Sequence, residues 1–415
     1  MKVLFLTDNF VPEVNAPATR TYEHCKEWVA KGAEVTVITC APNFPRGQVY
    51  DGYRNKLHQT EWVDGIKVIR VWSYIAANEG FVRRIADYLS FAFSALIAGL
   101  FEKADVIVAT SPQFFTAVSG FALAWLKRTP WIFELRDLWP DSIAAVGAMK
   151  KGAAIRFFER LELFLYGRAD RIVAVTPAFK SNLIGRGVAG DKIDVITNGV
   201  DGDRFFPRSK DARLLETLGL NDRFVIGYIG THGMAHGLDF IVRCATDVTD
   251  RSIHFLLIGD GAEKAALRRL ADEQGLDNLS FVDPVPKDQV ADYLSIVDVA
   301  LVPLRKLDTF LTVIPSKIFE AAAMNKPILL GVDGQAREIV EAFDAGLFYE
   351  PENAAAFLGA LDALASDPDR LAKLAQGCVA LAAAYDRRRL AGDMLAVVRE
   401  TAGKTRGDDP GGTTA

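Results

Sequence analysis

The stretch Phe224-Val225-Ile226-Gly227-Tyr228-Ile229-Gly230-Thr231-His232-Gly233 decides how the chain is read. An apolar, partly β-branched run without a charge stops at a glycine-rich turn, and Met234-Ala235-His236-Gly237-Leu238 then leads into a helix. A short continuous apolar run is a strand buried on both faces, and a strand followed by a helix is the repeat of a parallel sheet. Residue 224 starts again, in mid-chain, what Val3-Leu4-Phe5-Leu6 begins at the N-terminus. Similar runs lie at 3–6, 35–39, 66–71, 106–109, 131–134, 171–175 and 193–196, then at 224–229, 254–258, 279–281, 299–302, 327–330 and 346–348. Amphipathic stretches such as 19–31, 262–274 and 288–294 separate many of them. Two such series in succession predict an α/β protein with two Rossmann-like domains.

The chain has 415 residues, half of them hydrophobic and 24% charged, enough for two cores at roughly 100–200 residues per domain. The turn-rich Asn198-Gly199-Val200-Asp201-Gly202-Asp203 marks the boundary, giving domains 1–203 and 204–382, with a Gly-, Thr- and Asp-rich disordered tail at 401–415. A net charge of -5 gives no global basic field for nucleic acid. Cys25, Cys40, Cys244 and Cys378 form no CxxC pair, which favours a reduced, cytoplasmic protein over a disulfide framework or zinc site. Asp8 and Asn9 cut the first apolar run short, so it reads as a buried strand and not as an export signal. Residues 85–101 carry one charge, Asp87, and follow Arg83 and Arg84. They read as a buried helix, or as one lying on a membrane surface with its arginines toward anionic lipid.

Ligands of open α/β sheets bind at the carboxyl ends of the strands, so the loops there carry the candidates. After the first strand, Asn15 and Arg20 enter a helix without a GxGxxG, which speaks against a nicotinamide dehydrogenase. Arg20 reads as reaching an anion or acceptor, or as a solvated helix-end arginine. A later strand exits into Glu134-Leu135-Arg136-Asp137-Leu138-Trp139-Pro140-Asp141. There Asp137 could orient an acceptor hydroxyl or assist its proton loss, with Arg136 beside it. Gly230, His232 and Gly233 offer backbone N–H groups to a diphosphate, and Gly259-Asp260-Gly261 is a second glycine turn. His232 and His236 lack the glutamate of a zinc HExxH, so no metal is assigned to them. The strongest local group is Pro303-Leu304-Arg305 followed by Ile314-Pro315-Ser316-Lys317-Ile318-Phe319-Glu320. A helix opening at Pro315 or Ser316 points N–H groups and Lys317 at phosphate, and Glu320, one turn on, suits a ribose diol. A local Lys–Glu helix pair is the plainer alternative.

In that order, Arg20, Lys31-Gly32-Ala33-Glu34-Val35-Thr36-Val37-Ile38, Asn198-Gly199-Val200-Asp201, Gly259-Asp260-Gly261, 298–303 and Pro315-Ser316-Lys317 with Glu320 resemble the family-four retaining glycosyltransferases. The resemblance implies the GT-B fold: two Rossmann-like domains facing each other across a cleft, with a C-terminal helix, 383–400, crossing back to the first. It places a nucleotide-sugar donor, a UDP-sugar, on the second domain and the acceptor on the first. Arg136-Asp137-Leu138-Trp139-Pro140 and 233–237 are similar to the branch that transfers acetamido-deoxyhexoses such as N-acetylfucosamine into O-antigen and capsule. The implied acceptor is a polyprenyl-diphosphate-linked saccharide at the inner face of the cytoplasmic membrane, with 81–101 as the docking surface.

Two departures stand out. The first glutamate of the family's pair falls at Thr312, and the usual basic pair after the first strand of the second domain is replaced by His232 and His236. Arg305, Ser316 and Lys317 are therefore expected to meet the diphosphate. The family needs no divalent ion, so no cofactor is expected and Asp201-Gly202-Asp203 reads as a turn. Two other classes fit the fold: a GT-B sugar-nucleotide 2-epimerase, and a non-catalytic two-lobed sugar binder. An epimerised sugar nucleotide formed without acceptor marks the first, and the absence of nucleotide affinity marks the second.

Overall fold

The computed structural model describes residues 1–44, 47–75, 81–111, 113–138 and 153–403. The chain divides into two compact units, Met1–Asn198 joined by the residues from Arg388 onward, and Gly199–Arg387.

The first unit runs β1 (Lys2–Leu6), α1 (Ala16–Ala30), β2 (Glu34–Cys40), β3 (His58–Val63), β4 (Ile66–Val71), α2 (Phe81–Phe101), β5 (Val106–Thr110), α3 (Phe114–Lys127), β6 (Trp131–Leu135), α4 (Ala153–Arg168), β7 (Arg171–Ala174), α5 (Pro177–Gly185) and β8 (Ile193–Val195). Its sheet has the order β3-β4-β2-β1-β5-β6-β7-β8. Every pairing is parallel except β3 with β4. Successive residues of a strand point to opposite faces, so each central strand feeds two cores. Leu4, Leu6, Ile107, Trp131 and Phe133 pack under α2, α3 and α4. Val3, Phe5, Val35, Val106 and Val108 pack under α1 and the C-terminal helix Arg387–Ala402. Asn15 caps α1 by accepting the Ala18 N–H at 2.9 Å, with proline in the first turn.

Trp28 of α1, fully buried, donates its indole N–H to the Ala391 carbonyl at 2.8 Å, which ties the C-terminal helix to the first unit. The units change at Asn198 and Arg387, a few residues from the expected 203 and 383. The Val200 N–H donates to the Tyr385 carbonyl and the Arg387 N–H to the Val200 carbonyl, each at 3.0 Å. Phe205 is buried in the second core, so 199–203 belong there. The expected tail also begins later, because Thr401 and Ala402 end the last helix and the Thr401 hydroxyl donates to the Val397 carbonyl. Residues 404–415 lie outside the described residues.

The second unit runs α6 (Ala212–Leu218), β9 (Phe224–Ile229), α7 (Leu238–Ala245), β10 (Ile253–Ile258), α8 (Lys264–Glu273), β11 (Leu279–Val282), α9 (Val290–Ser295), β12 (Val299–Pro303), α10 (Lys317–Ala323), β13 (Ile328–Gly331), α11 (Gln335–Ala342), β14 (Gly346–Phe348), α12 (Ala354–Ala365) and α13 (Pro368–Ala384). Its parallel sheet has the order β11-β10-β9-β12-β13-β14, that of a dinucleotide-type doubly wound fold. The winding reverses between β9 and β12 here, and between β1 and β5 in the first unit. Ligands of such sheets bind at the carboxyl ends of those strands.

Two elements depart from the sequence expectation. β3 has no apolar run because it is a half-exposed edge strand, joined to β4 by Asp64-Gly65, both at positive φ. Helix α2 begins at Phe81, before the expected residue 85, and buries only one side, so of the two expectations for this segment a buried helix holds for that side alone. Among the described residues no helix is long and apolar enough to cross a membrane. All four cysteines are free and buried.

Met394 is fully buried between the C-terminal helix and the first sheet. Met394→Ala is expected to lower the first unit's stability by about 2–5 kcal/mol through the cavity it leaves. Calorimetry checks this as a lower unfolding temperature for the first unit.

Candidate active site

In the second unit the loops leaving β9 and β10 interlock. The Gly230 N–H donates to Ile258, the His232 N–H to Asp260 and the Glu263 N–H to His232, at 2.9, 2.8 and 2.9 Å. Gly259 has φ +141°, and a Cβ there would stand 1.9 Å from the Gly230 carbonyl oxygen. Gly230 has φ +151°, and its Cβ would stand 2.5 Å from Lys317 Nζ. These two positions therefore accept glycine alone. They let one loop lie on the other and let the lysine lie on both.

Lys317 Nζ donates to Tyr228 Oη at 3.0 Å and sits 4.2 Å from the centre of that ring. Tyr228 is fully buried and its hydroxyl donates to the Thr231 carbonyl at 2.6 Å. Burial pulls the Lys317 ammonium down to about 8, against the partial support of Glu320. It makes no ion pair among the described residues. Glu320, one turn along α10, is pushed upward by burial while Arg387, Lys317, Lys287 and Arg204 hold it back. Ser316 is exposed and does not cap α10 with its side chain. The Ile318, Phe319 and Glu320 N–H groups already close turns onto Pro315 and Ser316, so the helix start offers fewer donors than the sequence suggests.

Arg305 is placed differently. It donates to Asp239 at 2.8 Å, to Glu352 at 3.2 Å and to the Met234 carbonyl at 2.7 Å, and Glu263 lies 4.0 Å away. Its charge is already matched, and it staples the 234–239 segment to the end of β12. His232 is fully buried with both ring nitrogens unpartnered among the described residues, and burial, then Lys264, pull it down to about 4. The ring is therefore neutral at pH 7. His236 also falls to about 4, through burial and then Lys317, and both rings flank Tyr228 at 5.9 and 5.8 Å. Thr312 is exposed in a 3-10 turn. Asp201 accepts the Asp203 N–H at 3.0 Å, so Asp201-Gly202-Asp203 is a turn.

In the first unit, Arg20 is buried and neither reaches an acceptor nor lies in solvent. Its guanidinium donates to Glu134 at 2.9 Å and to the Ile196 and Thr197 carbonyls at 2.8 and 2.5 Å, which pins β6 to the end of β8. Asn15 bonds Asn9 and caps α1. Arg136 receives no such neutralising set. Its N–H donates to Ser111 at 2.9 Å, its side chain reaches the Pro17 carbonyl at 3.2 Å, and burial draws it down to about 10. Asp137 stands next to it, half-buried. Trp139, Pro140 and Asp141 lie outside the described residues. Asp8, at the exit of β1, is lifted to about 6 by burial, and Asp87 of α2 to about 7 by burial and Asp8.

Comparison with known proteins gives the class. Residues 15–199 match a glycosyl transferase 4-like domain and residues 223–367 match glycosyl transferases group 1. The chain belongs to the glycosyltransferases. It is 26% identical over 378 residues to WcaI of Escherichia coli (strain K12), named as a colanic acid biosynthesis glycosyl transferase, covering 87% of this chain and 91% of that one. With the glycosyltransferase WbjE of Pseudomonas aeruginosa it shares 25% identity over 244 residues, 58% of this chain and 61% of that one. The crystal structure of Anabaena HepE in complex with UDP matches 96% of this chain and all of that one, with a TM-score of 0.69 at 16% identity. The fold is therefore GT-B.

In this glycosyltransferase the structure brings Gly230, Gly259, Asp260, His232 and Lys317 together, with Gly233 in the same loop and Glu320 and Ser316 alongside. Arg305 and Arg20 face carboxylates of the protein itself. Sequence reasoning missed Tyr228, hidden in an apolar strand, and Glu134 as the partner of Arg20. Against full burial, the charges of Arg20 and Arg136 and hydrogen bonds from Thr110 and Arg20 hold Glu134 below the usual carboxylate range. A folded-state value below the unfolded one stabilises above the unfolded pKa, and that stability disappears as pH falls through the folded value. Glu134→Gln leaves the buried Arg20 without its carboxylate and is expected to cost about 3–5 kcal/mol at pH 7. Its penalty should shrink as pH drops below about 4, where the unfolded carboxylate protonates, and on through the lower folded-state value. Chemical denaturation at both pH values checks this.

Proposed function

We propose that this glycosyltransferase is a retaining enzyme that moves a sugar, an N-acetylated deoxyhexose, from a UDP-sugar to a lipid-linked saccharide in cell-surface polysaccharide assembly. It would work in the cytoplasm, at the inner face of the cytoplasmic membrane. WcaI, named for colanic acid biosynthesis, supports the polysaccharide setting, and HepE solved with UDP supports the donor. The single observation that carries the reading is Lys317: a half-buried cation with no ion pair among the described residues, held over glycine-opened backbone where the second sheet reverses its winding.

A diphosphate bound at the Gly230 and Gly233 loop would give Lys317 the anion the protein withholds from it. As the bond from the anomeric carbon to the diphosphate oxygen breaks, negative charge grows on the phosphate, and an ammonium already in place stabilises it without reorganising. The Glu320 carboxylate makes no hydrogen bond among the described residues and would accept the two hydroxyls of the ribose. The acceptor hydroxyl then attacks the same face of an oxocarbenium-like sugar, and its proton passes to a departing phosphate oxygen. Arg136 and Asp137 hold the acceptor. Arg305 acts through the 234–239 segment it staples, as a positioning residue.

Lys317→Ala is expected to lower turnover about 10²–10³-fold. Arg305→Ala should mainly raise KM for the donor, through its loop. Steady-state kinetics of the two variants separates these roles. Donor affinity should also fall as pH rises past about 8, where free Lys317 loses its proton. The fall would approach about tenfold per pH unit and vanish in Lys317→Met, as titration calorimetry with UDP reads it. EDTA should leave turnover unchanged, whereas loss of activity restored by magnesium would defeat the metal-free reading. Formation of an epimerised UDP-sugar without acceptor would instead favour an epimerase.

A further inference from the structure

Strand β3 closes one end of the first sheet, and among the described residues nothing pairs with its outer side. The Trp72 N–H donates to the Leu57 carbonyl at 3.4 Å, which continues the β3–β4 ladder by one residue. Leu57, Gln59, Glu61 and Val63 therefore turn their backbone groups toward β4, and His58, Thr60 and Trp62 turn theirs outward. An open edge of this kind is normally blunted by proline, by lysine or by a bulge. Residues 58–63 contain no proline and no lysine, and their register with β4 runs unbroken from His58–Val71 to Val63–Ile66. Their one carboxylate, Glu61, is already held by Arg70 of the same chain at 2.6 Å.

Large apolar side chains stand out from this bare edge. Leu57 is 82% exposed and Trp62 is 70% exposed, and strand alternation puts them on opposite faces. Lys56, next to Leu57, is exposed and holds no carboxylate among the described residues, while Asp64 is exposed at the turn that ends the strand.

The segment complements itself when it is reversed. On a twofold axis at Thr60, a second copy of the strand runs antiparallel to the first. Thr60 then faces Thr60, His58 faces Trp62, Gln59 faces Glu61, Leu57 faces Val63, and Lys56 faces Asp64. Those are a hydroxyl pair, two rings, an amide on a carboxylate, two apolar groups, and a cation on an anion. Cross-strand pairs of these kinds stabilise a ladder. The same register uses the free backbone, because 58 with 62 and 60 with 60 are the residues whose N–H and C=O groups point outward. Moving the axis by one residue spoils the match. At residue 59 it sets Leu57 against Glu61, and at residue 61 it sets Glu61 against itself.

We infer that the chain forms a twofold dimer in which β3 pairs antiparallel with β3 of a second copy around Thr60, joining two eight-stranded sheets into one. A strand that pairs with itself across a twofold axis closes after two copies, so the contact builds a dimer and no filament. The inference stands apart from the proposed reaction, since it uses no residue of the donor or acceptor sites.

The test uses the full chain. Sedimentation equilibrium should show a reversible monomer–dimer equilibrium at micromolar concentrations. Thr60→Pro removes an N–H that serves no ladder bond within the chain, but symmetry removes it twice from the dimer. The dimer's Kd should rise about tenfold or more, while the circular dichroism spectrum stays that of the wild type. Thr60→Cys reads the register. Directly facing, hydrogen-bonded residues of antiparallel strands have Cα atoms about 5.5 Å apart, within the span of a disulfide. All four natural cysteines are buried. Oxidation with copper phenanthroline should therefore give a covalent dimer from Thr60→Cys and none from His58→Cys, whose two copies would lie far apart along the strands. A chain that stays monomeric at every concentration overturns the inference. So does a dimer that a folded Thr60→Pro variant leaves intact, or cross-linking of His58→Cys in preference to Thr60→Cys.

Discussion

A cation held without a counter-ion organises the second unit. Lys317 is half-buried, leans on the face of Tyr228 and has no ion pair among the described residues. Keeping an ammonium in that position costs free energy that an ordinary structural lysine avoids. The fold concentrates its constraints there. The lysine can lie across the end of β9 only because Gly230 has no side chain, and that loop can lie on the next only because Gly259 has none. Tyr228 can support it only because its own hydroxyl proton is committed to Thr231.

Arg305 shows the opposite arrangement a short distance along the chain. Asp239, Glu263 and Glu352 surround its guanidinium, so its charge is balanced within the fold and its work is mechanical. The first unit repeats the contrast. Arg20 and Glu134 neutralise one another in the interior and join two strand ends, while Arg136, two residues beyond Glu134, loses part of its basicity to burial and remains at the strand exit. In both units one basic residue holds the scaffold and a neighbouring one stays electrostatically unsatisfied. Unsatisfied charge at a sheet's switch point is what an anionic substrate can use.

How much of this was legible depended on whether the signal was local. The apolar runs gave nearly every buried parallel strand within a residue or two, because a strand covered on both faces must be apolar throughout. Strand β3 escaped because an edge strand needs only alternation, although Asp64-Gly65 before an apolar run was a hairpin signal that could have been used. The positions of Lys317 and the glycines at strand exits were readable from the sequence. The fate of Arg20 and Arg305 was not, since their carboxylates come from 114 residues and from 47 and 66 residues away. The pattern of α2 was visible as an apolar segment, but only its packing beside α3 and α4 shows which side is left uncovered.

The most direct measurement is the ionisation of Lys317 itself, followed by NMR of its labelled side chain with and without UDP. The account predicts a value near 8 in the free protein, well below that of an ordinary lysine, and a marked rise when the diphosphate binds. A lysine that titrates normally in the free protein, or one that UDP leaves unmoved, would contradict it.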